Sequence, residues 1–137
     1  MSETGKGIVD ANWILRYLLR DDEALFLRAS TLLEKVKTGD EKVIILESVL
    51  AECTYILTKI YKVDRSTIAE KLRDLFDYKG VVNPDRKDLV DALLLFGHTN
   101  LSIVDCILCA KSKNQNLSLF TFDRNLQRLC AKAKRSA

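Results

Sequence analysis

The chain has 137 residues, 47% hydrophobic and 30% charged, with a formal net charge of +3, an ordinary balance for one globular domain spanning residues 1–137. No apolar run approaches the ~18 residues of a membrane span, and the first six residues do not read as a leader, so no membrane role and a cytoplasmic location are expected. The charge is uneven: residues 111–137 hold seven Lys and Arg against a single Asp, a distribution that suits nucleic acid or an acidic partner, or simply a solvated helix face and tail.

Residues 7–10 read as a short strand ending in Asp10, and residues 12–19 as a helix. Asp21 or Asp22 caps the next helix, in which Leu25, Ala29, Leu32, Leu33 and Val36 recur at helical spacing and which Gly39 stops. Residues 42–46 read as a strand buried on both faces. Ser48 reads as the cap of a helix with Val49, Leu50, Cys53, Ile56, Leu57 and Ile60 on its apolar side. Glu52 falls among these, in the first turn or just beyond. Asp64 opens a helix carrying Ile68, Leu72, Leu75 and Phe76, and residues 81–82 form a short third strand before Pro84.

Asp85 reads as the cap of a helix through Leu94, with Asp88 at the capping-box position and Gly97 as its stop, and His98 lies in the loop that follows. Ser102 caps the next helix, and Asp105 sits three residues on, again the capping-box spacing. Residues 117–122 form an apolar run that reads as a buried strand stopping at Asp123. Leu126, Leu129 and Cys130 mark a final short helix, and residues 132–137 a loose basic tail. Strands alternating with one or two helices argue for an α/β sandwich around a mostly parallel sheet, with helix well in excess of strand.

Four acids, Asp10, Glu52, Asp105 and Asp123, each follow a strand or sit in the first turns of a helix. In parallel α/β sheets the ligand site forms outside the carboxyl ends of the strands, so one edge can collect all four. Clustered carboxylates repel, and a fold keeps such a group mainly to hold hard cations such as Mg²⁺ or Mn²⁺. Two such ions about 3.5–4 Å apart can clamp both oxygens of an in-line phosphoryl displacement. Asp105, at a helix N-terminus, is also favoured as an anion by the helix dipole.

With these acids in place, the sequence resembles the PIN-domain ribonucleases of the VapC toxin type. The matching segments are Ile8-Val9-Asp10-Ala11-Asn12 with Leu15-Arg16, Val49-Leu50-Ala51-Glu52 with Tyr55-Ile56-Leu57, Ile103-Val104-Asp105-Cys106-Ile107, and Thr121-Phe122-Asp123-Arg124-Asn125-Leu126. Each motif alone is weak, while their order and spacing together are specific and cover nearly the whole chain. The resemblance implies a three-layer α/β/α sandwich with a four- or five-stranded sheet, and Mg²⁺- or Mn²⁺-dependent cleavage of single-stranded RNA. It also implies a homodimer and a cognate antitoxin protein. It carries the acidic set onto Asp10, Glu52, Asp105 and Asp123, with Asn12 and Thr121 in support. The chain departs from the family in ending on Lys, Arg and small residues, which leaves a final edge strand, and so a count of four or five, open. Arg16, Arg124 and Arg128 are candidates for RNA phosphates.

Each acid singly has a bland reading as a cap or a solvated residue. Asn12 and Thr121 could equally satisfy nearby backbone groups. Cys106 and Cys109 form a C-x-x-C with no second ligand pair for zinc, and they read as small buried hydrophobes. His98, the one histidine, has no nucleophile elbow to serve. No P-loop or dinucleotide fingerprint occurs. The rival from another class is a non-catalytic nucleic-acid-binding or scaffold domain of the same fold.

Overall fold

The computed structural model describes residues 5–131, together with the backbone of residues 133 and 134. Helices dominate. Five of the seven start at a side-chain cap: α1 (Ala11–Leu19) at Asp10, α2 (Glu23–Thr38) at Asp22, α4 (Arg65–Phe76) at Asp64, α6 (Ile103–Asn114) at Ser102 and α7 (Arg124–Leu129) at Asp123. Each cap oxygen accepts from the backbone N–H three residues on, at 3.0 to 3.2 Å. Such a bond is worth about 1 kcal/mol and fixes where the helix begins.

The other two helices start differently from expectation. Helix α3 (Glu47–Lys59) begins ahead of Ser48, at Leu46, with no side-chain cap, which moves Glu52 into the second turn. Helix α5 (Arg86–His98) follows Asp85, whose side chain makes no cap bond, and it runs through Gly97 to His98. Gly97 is a contact residue rather than a stop: a Cβ there would lie 3.0 Å from the Ala69 Cβ of α4. His98 closes the last turn through Nδ1, 2.8 Å from the Leu94 carbonyl oxygen.

All strand pairing is parallel. Strand β1 (Gly7–Ile8) pairs with β2 (Val43–Ile44), and Val43 bridges to Val81. Beyond that bridge the buried Asn83 acts in place of a strand: its Oδ1 accepts from the Ile45 N–H at 2.9 Å, and its Nδ2 donates to the Ile45 carbonyl at 2.7 Å. Gly80 turns the chain into this edge. A Cβ there would stand 2.0 Å from the Glu41 carbonyl and 2.6 Å from that of Val36.

Strand β3 (Leu119–Phe120) pairs with β4 (Ala133–Lys134), so the chain does carry a final strand in the part expected to be a loose tail. The rest of that tail lies outside the described residues. The single four- or five-stranded sheet is not formed among the described residues, which hold two separate two-stranded pieces. The physical reason lies in the second piece. Phe120 and Phe122 are 71% and 81% exposed, so the apolar run at 117–122 is not the buried strand that its composition suggested.

One continuous core unites the helices with the ends of the strands, from Val9, Ile14 and Leu15 through Leu50, Leu72, Leu89 and Leu93 to Cys106 and Leu126. Helix α1 packs on α2 and α3, while α4, α5 and α6 pack in series. No helix among the described residues is long and apolar enough to cross a membrane.

Candidate active site

Asp10 and Asp123 owe their positions to capping. Each sits where a short strand gives way to a helix, and each spends Oδ1 on that helix, Asp10 on the Trp13 N–H at 3.2 Å and Asp123 on the Leu126 N–H at 3.0 Å. Both are exposed. A carboxylate held by one oxygen has a defined direction, and its second oxygen stays available to a cation. Cap and ligand are therefore compatible roles for the same residue.

Asp105 lies in the first turn of α6 and is half-buried. Its backbone N–H donates to Ser102 Oγ at 3.1 Å, so one half of the capping box forms through the backbone of Asp105. Glu52 projects from the exposed side of α3, next to the buried Cys53. Burial foremost, with the carboxylates of Glu52 and Asp10 adding to it, pushes the Cys53 thiol up to about 12. The Cys53 thiol lies 3.9 Å from the Ala11 carbonyl oxygen, so the chain segments that carry Glu52 and Asp10 adjoin. Cys106 is pushed up to about 11, first by burial, with Asp105 adding to it and Arg65 and Thr99 opposing.

The full four-acid cluster is not assembled. Among the described residues no group of three or more His, Cys, Asp or Glu stands close enough to hold a metal ion. Like charges repel, and Asp10, Glu52 and Asp123 all project into water, where repulsion is weakest. The donor set fits a hard cation in its chemistry, since every member offers carboxylate oxygen, while its spacing is wider than a coordination shell.

The supporting residues divide. Thr121 Oγ1 accepts from the Asp123 N–H at 3.0 Å and so shapes the turn that carries this acid. Asn12 is exposed in the first turn of α1 and lines a small cleft with Trp13 and Arg28. Arg16 is spent elsewhere: its Nη1 donates to both oxygens of Asp21, at 2.8 and 2.9 Å, and its Nη2 to the Tyr61 hydroxyl at 3.3 Å. Arg16 thus meets an RNA phosphate only in competition with Asp21. Arg124 is exposed at the start of α7, and Arg128 is exposed and donates to Asn125 Oδ1.

One feature escaped the sequence. Cys109 is bonded to Cys130 in a disulfide that joins α6 to the end of α7, while Cys53 and Cys106 remain buried thiols. Cys106 and Cys109 both lie in the core as expected, Cys106 as a free thiol and Cys109 bonded to Cys130. Asn125 Nδ2 also donates to Asn100 Oδ1 at 2.8 Å, tying the start of α7 to the loop before α6. Helices α6 and α7, whose starts carry Asp105 and Asp123, are therefore tied twice, near their starts and from the middle of α6 to the end of α7. The pairing partners stand 21 residues apart, with no local signal to announce them.

A family model described as the PIN domain matches residues 7–132. No curated protein matches the chain.

Proposed function

The chain belongs to the PIN domain family, a fold generally used by nucleases, and on that premise we propose that it is a metal-dependent endoribonuclease acting on single-stranded RNA. The observation that supports this most is the contact between the two helix starts that carry Asp10 and Glu52: Cys53, the residue after Glu52, sets its thiol 3.9 Å from the carbonyl oxygen of Ala11, the residue after Asp10. Asp105 and Asp123 complete the set, each at the start of a helix where the dipole favours an anion.

In this reading Asp10, Glu52, Asp105 and Asp123 would draw in from their present wider spacing to hold a divalent ion, which would supply Lewis acidity and an activated water. The chain's own work is positioning. The Trp13 and Leu126 N–H groups each hold one oxygen of Asp10 and Asp123, and Thr121 holds the turn in front of Asp123. The disulfide and the Asn100–Asn125 bond keep α6 and α7 in register, so Asp105 and Asp123 keep a fixed relation. Arg124 and Arg128, exposed beside Asp123, suit backbone phosphates, whose contacts position an RNA without reading its sequence.

The proposal extends to a VapC-like toxin, cytoplasmic, neutralised by a cognate antitoxin that lays a cationic side chain over the acids. It also includes a homodimer to which the helices of residues 24–77 contribute through α2, where Leu25 and Leu27 stand exposed and which lies outside the cleft lined by α3. A thermal melt with increasing Mn²⁺ tests the metal site. A catalytic centre raises the melting temperature saturably, and Glu52→Gln weakens that response. A non-catalytic scaffold shows no saturable shift, and that result would reject the nuclease reading.

A further inference from the structure

We propose that the cleft between α3, α5 and the start of α6 is a nucleotide subsite, which takes one unstacked base of single-stranded RNA on Tyr55 and its phosphate on Lys59. This deepens the nuclease reading and rests on it for the identity of the polymer. The cleft measures about 480 Å³, within the usual range for small-ligand sites. Tyr55, Thr58 and Lys59 line it from α3, Asn100 and Ser102 from the entry to α6, and Arg65 from α4.

Its position is the first argument. Glu52 lies one helical turn before Tyr55, so the two share a face of α3. Ser102, on the opposite wall, accepts the backbone N–H of Asp105. A nucleotide in the cleft is therefore bordered by two of the proposed ligand acids, where a neighbouring scissile phosphate belongs.

Charge is the second argument. The lining holds two cations, Lys59 and Arg65, and no acid, although acids border the cleft on either side. Arg65 forms part of the wall: its Nε donates to the Phe96 carbonyl at 3.0 Å, an Nη donates to the Leu101 carbonyl, and its guanidinium lies 3.7 Å from the centre of the Phe96 ring. All of these partners are neutral, so among the described residues its positive charge has no acidic partner at the cleft wall. Lys59 is exposed on the same helix face as Tyr55.

Chemistry is the third. The Tyr55 ring is 62% exposed, a planar surface open to stacking. Ser102 Oγ uses only acceptor capacity toward Asp105, and the side-chain amide of Asn100 is engaged through Oδ1 alone. A hydroxyl proton and an amide donor are left for the edge of a base. A second protein chain pressed here would bury Lys59, Arg65 and these polar groups against a surface that must satisfy each of them, which is costly. A stacked base with a phosphate satisfies them at once, and base–aromatic stacking is the usual device for holding single strands.

The test is fluorescence anisotropy of the full chain with a labelled short single-stranded RNA in Ca²⁺, alongside a melt of every variant. Tyr55→Ala weakens binding about tenfold, as loss of one stacked base does. Tyr55→Phe, which keeps the ring, binds as the wild type does. Lys59→Gln weakens binding and lowers the salt slope by roughly one phosphate contact. The proposal is overturned if the wild type binds no RNA, if Tyr55→Ala binds like the wild type, or if Tyr55→Phe loses as much as Tyr55→Ala. It is overturned as well if Tyr55→Ala changes the association state in sedimentation and leaves RNA binding intact, since a second copy then covers the cleft. Failure of the nuclease reading is a separate event: the binding pattern holds, and the wild type cuts no RNA in Mg²⁺.

Discussion

Asp10 serves as a helix cap in the structure and as a metal ligand in the proposed mechanism, and two substitutions separate these roles. Asp10→Ala removes the acceptor for the Trp13 N–H, and loss of such a cap costs about 1 kcal/mol. For a domain of this size that lowers the melting temperature by about 3–5 °C. Asp10→Asn keeps the acceptor, because Asn caps as well as Asp. It gives up a charge–dipole attraction of about 0.3–1 kcal/mol, and relief of repulsion from Glu52 offsets part of that. The metal-free Asp10→Asn protein therefore melts close to the wild type and above Asp10→Ala. Both variants lose RNA cleavage, since a neutral amide is a poor ligand for Mg²⁺ and a methyl is none. Paired melts and single-turnover cleavage on the same preparations decide the matter. Asp10→Asn cleaving at the wild-type rate would remove Asp10 from the site, and Asp10→Asn melting as low as Asp10→Ala would make its charge structural.

Three further outcomes follow from the fold. Alkylation of the denatured, unreduced protein should modify two of the four cysteines, Cys53 and Cys106, and Cys130→Ser should lower stability by roughly 3 kcal/mol in a denaturant titration; four reactive thiols would contradict the Cys109–Cys130 bond. Gly80→Ala should destabilise by about 2–3 kcal/mol or fail to fold, because the added methyl meets two backbone carbonyls, and a wild-type melt would contradict the close approach. The Tyr61 hydroxyl, foremost, and the Arg16 guanidinium hold the Asp21 carboxyl below the usual Asp range. Its contribution to stability is therefore present above that range and lost as pH falls through the lowered value, and an NMR titration should show Tyr61→Phe moving the midpoint upward.

How much was legible in the sequence follows the range of the interactions concerned. Asp22, Asp64 and Ser102 cap helices as expected, because a cap bonds only three residues along. Gly39 ends α2 with φ at 92°, for an equally local reason. Leu46 was illegible as a helix start because it has no side-chain bond to advertise. Parallel strands pair across long stretches of chain, so an apolar run at 117–122 could not reveal that only Leu119–Phe120 would enter a strand, with Phe120 largely exposed. Arg16 looked free because one of its partners, Tyr61, lies far along the sequence. The four acids stood out by type and place, and their final spacing depends on how α6 and α7 dock, which a disulfide between distant cysteines helps to set.

Incubation of the purified chain with single-stranded RNA in Mn²⁺, with and without excess EDTA, and with Glu52→Gln beside the wild type, addresses metal-dependent cleavage most directly. The wild type should cut the RNA internally, EDTA should stop it, and Glu52→Gln should be reduced by at least about a hundredfold, the scale on which a lost electrostatic contact in a reaction centre is felt. Cleavage that persists undiminished in EDTA, or equally in Glu52→Gln, would contradict a metal centre built on these acids.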